Sequence, residues 1–360
     1  MDSSGAFEEK LSQDGDPIAS PRRARVQPRQ LYALVGAERL GASVDLRTVR
    51  RGLAAFLTRY VKPNGLIRAS VDGDGRVVDD SAVLYDQAFA LFALADMDVV
   101  LGPAAEASAE ALRHAVLTAF RHPAGGFYSA YPPTGALLSN PHMHLFEAAL
   151  AWIEADGDSE WRDLAAEIKS LALEVFIDGR GALRETFDDD WCPAAGLAGR
   201  IVEPGHQFEW AWLLLRWAPI ADDQADAQAC RQAALRLIEV GERHGVDQRR
   251  GVAINALLDD FSVHDGEARL WPQTERIKAH ALAAIETGEA EHWALAAKAV
   301  RGLELYLETA TPGLWFDRMT AEGEPIDEAA PASSFYHIVC AIEALSTALA
   351  RADTKLRVAS

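Results

Sequence analysis

A glycine followed by apolar or aromatic residues recurs along the chain at long, similar intervals. The five copies start at Gly65, Gly126, Gly181, Gly251 and Gly313, with spacings of 61, 55, 70 and 62 residues. Between successive copies lie two segments with apolar residues at three- and four-residue intervals, which is typical of amphipathic helices. The repeating unit is therefore a pair of helices followed by a loop, and such a repeat strongly constrains the fold.

The apolar periodicity predicts eleven helices and a weaker twelfth. One clear case runs from Leu145 through Ala148 to Trp152. Hydrophobic residues make up 49% of the chain, enough to fill a large core and to exclude wholesale disorder. The eleven helices are predicted near residues 28–40, 46–61, 80–99, 104–122, 141–156, 158–177, 204–218, 222–245, 270–287, 288–309 and 334–351, and the weak one near 5–13.

Six helix pairs in one chain predict an all-α fold, an (α/α)6 barrel (toroid) with short hairpins in the loops of its rim. Closing the ring gives the apolar face of every pair a neighbour, whereas an open solenoid needs polar end repeats. The open solenoid is the alternative. The predicted domains are a flexible N-terminal segment over residues 1–20, a single catalytic domain over 21–352 and a C-terminal tail over 353–360.

Charge and cysteine content narrow the class of protein. There are 54 acidic and 35 basic residues, a net charge of −19, which argues against binding to nucleic acid phosphates. No run approaches about 20 apolar residues, so neither a membrane span nor a membrane partner is predicted. Residues 1–16 lack the apolar stretch of a secretory signal. Three widely spaced cysteines fit neither a disulfide framework nor a zinc site. We therefore expect a soluble, cytoplasmic protein.

Clusters of polar and aromatic residues mark the starts of alternate helices. If the weak first helix belongs to an outer layer, these alternate helices are the inner ones, and their starts converge on one pocket. A convergent polar pocket is the default hypothesis for an active site. The clusters are Gln27 with Arg29, Tyr85 with Asp86, Asn140 with His142 and His144, His206 with Glu209 and Trp210, Trp271 with Gln273 and Glu275, and Tyr336 with His337.

Histidines are the candidate acid–base groups. His206 and Glu209 lie one helical turn apart, and a carboxylate beside an imidazole is the usual arrangement for a general base. A helix cap with a buried, hydrogen-bonded histidine would give the same pattern, and a structural role is equally open for His337. Asn140 and His144 are four residues apart and so share one helical face.

The sequence predicts neither a metal nor a cofactor. His142 and His144 diverge on a helix, and no His-Glu-x-x-His motif or cysteine cluster accompanies them. Dinucleotide, P-loop and GxSxG motifs are also missing from the sequence. Trp210 and Trp271 could stack on a sugar or fill the core. Arg29 could hold a substrate oxygen or pair with a carboxylate. The pattern favours acid–base chemistry on a small molecule.

Six segments, taken in order, resemble the N-acylglucosamine 2-epimerase superfamily, which includes N-acetylglucosamine and cellobiose 2-epimerases, mannose isomerases and sulfoquinovose isomerase. The resemblance covers residues 22–350. Any one segment is a weak motif, but six in order on alternate helices are specific. The segments are Arg23 to Arg29 with Gln27, Leu84-Tyr-Asp-Gln-Ala-Phe-Ala, Asn140-Pro-His-Met-His-Leu-Phe-Glu-Ala, Pro204-Gly-His-Gln-Phe-Glu-Trp, Trp271-Pro-Gln-Thr-Glu and Ser334-Phe-Tyr-His.

The resemblance implies an (α/α)6 barrel and a role for each site residue. His206 and His337 match the two acid–base histidines, and Glu209 matches the carboxylate that supports the first. His144 and Asn140 match the pair that assists ring opening and holds the sugar. The remaining candidates would bind substrate: Arg29 near O1 and O2, with Tyr85, Asp86, Trp271, Gln273, Glu275 and Tyr336. The chemistry would be removal of the C2 proton of an open-chain aldose to give a cis-enediolate.

The segment that precedes the second histidine, His337, differs between branches of the superfamily. In this chain it reads Pro331-Ala-Ser-Ser-Phe-Tyr-His, with small side chains after the proline, whereas 2-epimerases more often have a Trp-Lys-Gly-Pro-like segment there. It resembles the aldose–ketose isomerase branch and favours mannose/fructose interconversion. The 6-phosphates of these sugars are also candidate substrates, because four basic residues lie in or near the rim loops: Arg68, Arg200, Arg276 and Lys278. These residues could equally be solvated surface charges.

Three other functions stay open. One is a sugar 2-epimerase of the N-acylglucosamine or cellobiose type, which returns the proton to the opposite face of C2. Another is an (α/α)6 glycoside hydrolase that pairs Asp86 with Glu209 or Glu275. The third is a catalytically silent sugar-binding protein. In every case the expected partner is a small-molecule sugar, and the chain is expected to be a monomer or a homodimer.

Overall fold

The computed structural model describes residues 1–359, and the side chains of all of these except 98–101, 103 and 355–359. This stretch is mostly helical and contains eleven α-helices close to the predicted positions. Their bounds are α1 Val26–Arg39, α2 Leu46–Tyr60, α3 Leu84–Leu101, α4 Pro103–Ala119, α5 Ser139–Glu154, α6 Ser159–Leu171, α7 Pro204–Trp217, α8 Gln224–Gly245, α9 Leu270–Thr287, α10 Ala290–Leu307 and α11 Ser333–Ala359.

The odd-numbered helices form an inner ring. Each contacts the next odd-numbered helix, and α11 contacts α1, so the order α1, α3, α5, α7, α9, α11 is cyclic. The five even-numbered helices lie outside, and each packs on the inner helix that precedes it. Every inner helix therefore has apolar neighbours on both sides. This explains why apolar residues surround helices such as α7, in which all residues but Arg216 are buried.

Short antiparallel strands connect the repeats at one end of the ring. Their bounds are β1 Lys10–Leu11, β2 Arg22–Arg23, β3 Ser70–Val71, β4 Val77–Asp79, β5 Ala82–Val83, β6 Ala130–Tyr131, β7 Leu137–Leu138, β8 Thr186–Phe187, β9 Ile201–Val202, β10 Val246–Asp247, β11 Val252–Ala253, β12 Ala256–Leu258, β13 Val263–Asp265, β14 Ala268–Arg269, β15 Arg318–Met319 and β16 Ala330–Pro331. The strand before each inner helix pairs with a strand of the next connection: β2 with β3, β5 with β6, β7 with β8, β9 with β12, β14 with β15, and β16 with β1.

A side-chain clamp ties every repeated loop except the one after Gly313 to the following inner helix. Gln87 accepts a hydrogen bond from the amide of Ile67 at 2.7 Å and donates to its carbonyl at 2.9 Å. Ile67 lies two residues after Gly65, whose φ of +82° suits glycine. The amide side chain thus satisfies two buried backbone groups, which would be costly to leave unpaired. Equivalent pairs of bonds join Gln27 to Phe7 and Gln273 to Ala253. Gln207 accepts from the amide of Leu183 and donates to the carbonyl of Gly181, and His142 accepts from the amide of Phe127.

The clamp corrects one site prediction and explains the position of His142. Gln273 was predicted to bind substrate, and this is wrong, because its amide is fully engaged with the backbone of Ala253 and Arg269. His142 takes the clamp position in its repeat, where its Nε2 accepts from Phe127 at 3.0 Å. Burial lowers the pKa of His142 to about 4 and so keeps it neutral, as an acceptor nitrogen requires.

Residues 1–20, predicted to be a flexible segment with a weak helix, instead form the sixth loop of the ring. Gly5 has a φ of +93° and starts a sixth copy of the loop motif. Strand β1 pairs with β16 and so joins the last repeat to the first. Gln13 donates to the carbonyl of Trp315 at 3.1 Å, and Phe335 at the sixth clamp position stacks on Trp315. The segment is held because it supplies the strand that the ring needs to close.

The last helix is longer than predicted. It continues to Ala359, so the predicted tail over 353–360 is helical as far as Ala359, and Ser360 lies outside the described residues. Residues Ser333–Thr354 are long and apolar enough, by length and composition, to cross a membrane. The same helix belongs to the inner ring, where it packs on α1 and α9. Core helices of soluble proteins have the same composition.

Candidate active site

A cavity of about 690 Å³ lies at the N-terminal ends of the inner helices. Helices α1, α5, α7 and α9 start there without a side-chain cap, so the positive ends of their dipoles face the cavity. Eight of the twelve predicted site residues line it: Arg29, Tyr85, Asn140, His144, His206, Glu209, Trp271 and His337. The remaining four, Asp86, Gln273, Glu275 and Tyr336, lie behind this lining.

His206 is held by a carboxylate that the sequence analysis missed. Its Nδ1 lies 3.0 Å from Oε1 of Glu185, and Oε2 of Glu203 is 3.9 Å away. Burial of the imidazole acts to lower its pKa, but the charges of Glu185 and Glu203 outweigh burial and raise the pKa of His206 to about 10. His206 is therefore protonated at neutral pH. The expectation that Glu209 supports His206 is wrong, because Glu209 faces His144 instead.

A positional signal could have identified Glu185. It follows the loop glycine Gly181 by four residues, and Asp317 follows Gly313 by the same distance. Asp317 lines the cavity and accepts a hydrogen bond from Ser334 at 2.6 Å. The fourth residue after the glycine thus points toward the site in both repeats. A search confined to the helices overlooks this position because it lies in a loop.

The surroundings of His337 shift its pKa in the opposite direction to that of His206. Its Nδ1 lies 2.9 Å from Oε1 of Glu275, which leaves Nε2 for the cavity. Burial lowers the pKa of His337 well below its ordinary value, and the charges of Arg29 and Lys278 lower it further. His337 is therefore neutral when His206 is charged. Glu275, predicted to bind substrate, instead holds this histidine.

Trp271 lies between the two histidines. Its ring centroid is 5.0 Å from that of His206 and 5.9 Å from that of His337. Gly205 makes this approach possible, because a Cβ at that position would collide with the indole ring of Trp271. The Pro-Gly sequence before His206 thus has a packing role. The indole forms a wall of the cavity against which a small substrate would contact both imidazoles.

A buried network forms the floor of the cavity. Nδ1 of His144 lies 3.1 Å from Oε2 of Glu147, whose other oxygen accepts from the hydroxyl of Tyr336 at 2.7 Å. Burial lowers the pKa of His144 to about 4. Burial and the nearby Glu275 raise the pKa of Glu209 well above its ordinary value. Tyr336, predicted to bind substrate, instead belongs to this floor.

Arg29 is a buried cation that forms no ion pair with any residue the structure describes. It is 5% exposed, and its Nη2 donates to the hydroxyl of Tyr85 at 2.6 Å. Its Cζ lies 3.9 Å from the ring centroid of Phe89. Asp86, which was predicted to bind substrate, pairs with Arg25 at 2.7 Å and not with Arg29. A buried guanidinium without a carboxylate partner is well suited to bind a substrate oxygen.

Comparison with known proteins identifies the family. The model of the N-acylglucosamine 2-epimerase (GlcNAc 2-epimerase) family matches residues 5–341. The chain belongs to this family. It is a carbohydrate isomerase or epimerase, as are its relatives in the family by name.

Members of the N-acylglucosamine 2-epimerase family resemble this chain over most of its length. A mannose-6-phosphate isomerase of Rhizobium meliloti (strain 1021) is 46% identical over 357 residues, 96% of this chain and 91% of that protein. The crystal structure of a D-mannose isomerase has a TM-score of 0.88 at 20% identity, covering 96% of this chain and 93% of that one. A sugar epimerase from a ruminal bacterium has a TM-score of 0.86 at 18% identity, with the same two coverages.

The predicted carboxylate pair that a hydrolase with this fold would need does not come together in the cavity. Asp86 is buried against Arg25, and Glu275 is held by His337 and by Lys278 at 2.5 Å. Neither lines the cavity, so Glu209 has neither of its two predicted partners there. The hydrolase alternative therefore has no support in the geometry of this family member.

The four basic residues considered for a phosphate do not line the cavity. Each has an acidic partner: Arg68 pairs with Asp80, Arg200 with Asp259, Arg276 with Glu242, and Lys278 with Glu275. Besides the buried Arg29, the arginines that line the cavity are Arg23, Arg25 and Arg269, whose side chains are partly exposed.

Two groups of side chains bring possible metal ligands within 4.8 Å of one another. In each group, the histidine Nδ1 is hydrogen-bonded to a carboxylate, a contact that a cation would have to replace. The groups are His144 with Glu147 and Glu209, and Glu185 with Glu203 and His206.

Proposed function

We propose that this protein is an aldose–ketose isomerase that interconverts a mannose-type aldose and its ketose, without a cofactor, through a cis-enediolate. The observation that carries the proposal is the pair of histidines beside Trp271, each hydrogen-bonded through Nδ1 to a carboxylate and with pKa values shifted in opposite directions. Isomerisation needs a base for the C2 proton and an acid for the carbonyl oxygen in one site.

His337 serves as the base in this scheme. Its Nδ1 is engaged by Glu275, so Nε2 is the nitrogen that takes the proton from C2. His206, charged and held by Glu185, donates a hydrogen bond to the carbonyl oxygen as the enediolate forms. Delivery of the abstracted proton to C1, together with the transfer of the O2 hydroxyl proton to O1, gives the ketose. Because each imidazole already has the required protonation state, no proton has to be exchanged with solvent first.

Positive charge in the site stabilises the enediolate. Arg29 carries a buried guanidinium whose Nε has no hydrogen-bond partner among the described residues, and Oδ1 of Asn140 is likewise unpartnered. Both residues line the cavity, where Arg29 can donate to a sugar oxygen and Oδ1 of Asn140 can accept from a sugar hydroxyl. The uncapped starts of four inner helices add partial positive charge. The Arg29 guanidinium and the helix starts stabilise the negative charge that develops on the enediolate, and so they accelerate its formation.

The rim arginines support a 6-phosphorylated sugar as substrate. Arg25 uses Nε for Asp86, which leaves its remaining N–H groups for a ligand, and the carboxylate nearest to Arg269 is Glu203 at 3.8 Å. Guanidinium groups bind phosphate oxygens in pairs. The name of the Rhizobium relative, mannose-6-phosphate isomerase, agrees with this substrate.

A 2-epimerase is the second candidate. The two imidazoles contact Trp271 from separate positions, so each could serve one face of C2. Return of the proton to the opposite face would then give the epimer. The same site would serve both reactions, and product analysis distinguishes them.

The first test follows products by NMR in D2O, with EDTA present, after adding mannose or mannose 6-phosphate. We expect the ketose, or its phosphate, with deuterium incorporated. Glucose or its phosphate as the first product would make the enzyme a 2-epimerase, and a requirement for added metal would contradict the cofactor-free scheme. His206→Gln and His337→Gln should each stop exchange at C2, whereas the exposed His114→Gln should not. Full exchange in either site variant would contradict the two-histidine mechanism.

The proposed binding of the phosphate by Arg25 and Arg269 is tested by comparing kcat/KM for mannose 6-phosphate with kcat/KM for mannose. In Arg25→Met and Arg269→Met, we expect kcat/KM for mannose 6-phosphate to fall by about 10- to 100-fold, the value of a charged hydrogen bond, and kcat/KM for mannose to change much less. Arg200→Met, which alters a rim arginine outside the cavity, is the matched control. Equal losses for both sugars would contradict phosphate binding by these arginines.

We also propose the finer architecture. The cyclic contacts favour an (α/α)6 barrel with five outer helices in the described residues and a single domain over 21–352 to which residues 1–20 add a strand. We propose a cytoplasmic location and a monomer or homodimer.

A further inference from the structure

Lys278 is a fully buried ammonium group beneath the active site. It lies on α9, and its Nζ is 2.5 Å from Oε2 of Glu275. The ring of Trp212 lies 3.9 Å away, and Sγ of Cys340 also lies at 3.9 Å. Lysine is almost never fully buried unless it is paired. The charge of Lys278 therefore has to compensate a particular buried group.

Glu275 is that group. One of its oxygens is 2.5 Å from Lys278 and the other is 2.9 Å from Nδ1 of His337, so the carboxylate lies between the ammonium and the imidazole. Glu147, another buried carboxylate of the floor, has its own donors in His144 and Tyr336. Burial raises the pKa of Glu275, and Lys278 is the first of the groups that oppose the rise.

The ionisation of Glu275 selects the tautomer of His337. An ionised carboxylate only accepts hydrogen bonds, so Nδ1 of His337 must carry the proton and Nε2 faces the cavity as a base. A protonated Glu275 would act as a donor. Nδ1 would then accept, the proton would move to Nε2, and the base facing the cavity would be lost.

We propose that Lys278 is a positioning residue for His337, because it keeps Glu275 ionised and so fixes the proton of the imidazole on Nδ1. The inference rests on the proposed function only in taking His337 as the base. Lys278 does not touch the substrate. Its effect passes through two side chains, Glu275 and His337.

The experiment combines the tautomer with kinetics in Lys278→Met. The tautomer is measured from the ¹⁵N shifts of the His337 imidazole, assigned by their loss in His337→Gln. We expect the proton to move from Nδ1 to Nε2. We also expect kcat to fall by about 10- to 1000-fold, less than the roughly 10⁴-fold seen when the carboxylate of a catalytic triad is neutralised. KM should change less than about threefold, because a group acting only in the transition state alters kcat.

Lys169 provides a matched control. Its Nζ pairs with Asp226 at 2.6 Å and lies 5.9 Å from the ring centroid of Trp217, an arrangement like that of Lys278 but on an outer helix. Lys169→Met removes a comparable ion pair away from the cavity. It should leave both the tautomer and kcat unchanged.

A variant pair keeps the inference testable if Lys278→Met does not fold. Glu275→Gln presents an uncharged oxygen to Nδ1, so the tautomer no longer depends on an ammonium group. Adding Lys278→Met to Glu275→Gln should then change kcat by less than about threefold. An undiminished loss in that background, or an unchanged tautomer in Lys278→Met, would overturn the inference. If the parent protein isomerises no sugar, the proposed function fails, and the tautomer measurement still decides the role of Lys278.

Discussion

Replacing Glu185 by glutamine should move the alkaline limit of activity without changing the shape of the site. Glutamine keeps an oxygen near Nδ1 of His206 and removes one negative charge at 3.0 Å. At an effective dielectric constant of about 20, that charge is worth about 5 kcal/mol, and at about 1.4 kcal/mol per pH unit this corresponds to a fall of about 4 in the pKa. Glu203 remains 3.9 Å away and limits the fall. We therefore expect the pKa of His206 to drop from about 10 to between about 6 and 8.

The direction of the shift in the pH profile follows from the role of His206 as a protonated acid. The parent enzyme should hold a plateau of kcat/KM that falls near pH 10, as His206 loses its proton. In Glu185→Gln that fall should occur at least about 2 pH units lower, while activity near pH 6 is largely kept. The assay is mannose-to-ketose conversion between pH 5 and 11, with a ¹³C NMR titration of labelled histidine as a direct measure.

Two controls accompany this variant. Glu185→Asp keeps the charge and should retain an alkaline limit near that of the parent. Glu160→Gln removes a largely exposed carboxylate on α6 and should have no effect. An alkaline limit that stays within about half a pH unit in Glu185→Gln would refute the electrostatic account of His206.

Three further predictions concern packing and stability. Gly205→Ala should push Trp271 out of its position between the histidines and lower kcat/KM by about 10- to 100-fold. Calorimetry should show little change in the melting temperature. An unchanged kcat/KM would contradict the packing role of Gly205. Gln87→Leu removes three hydrogen bonds of a loop clamp and should lower the free energy of unfolding by about 3 kcal/mol in denaturant titrations, whereas Gln228→Leu on an exposed face should not. The pKa of His206 is higher in the folded than in the unfolded state, so its contribution to stability is complete below about pH 6.5 and is lost as the pH rises through about 10. His206→Gln should therefore lower the melting temperature more at pH 6 than above pH 10. An equal effect at both pH values would contradict this prediction.

The sequence determined the helices and the set of residues around the site. Apolar periodicity located all eleven helices because it reports which face of each helix is buried, and burial is a local property of the pattern. The loop glycines marked the repeat because a φ near +80° leaves little choice of residue, as at Gly65 and Gly181. Eight of the twelve predicted site residues line the cavity, since the repeat places the starts of alternate helices at one end.

The tertiary structure decided which side chains act together. Glu185 holds His206 and Glu275 holds His337, and each pair joins residues from different elements, 21 and 62 positions apart in the chain. Spacing along one helix suggested Glu209 as the partner of His206, but the direction of a side chain depends on the neighbouring helices that surround it. The different protonation states of the two histidines depend on burial and on cross-ring neighbours, and these exist only once the ring has closed.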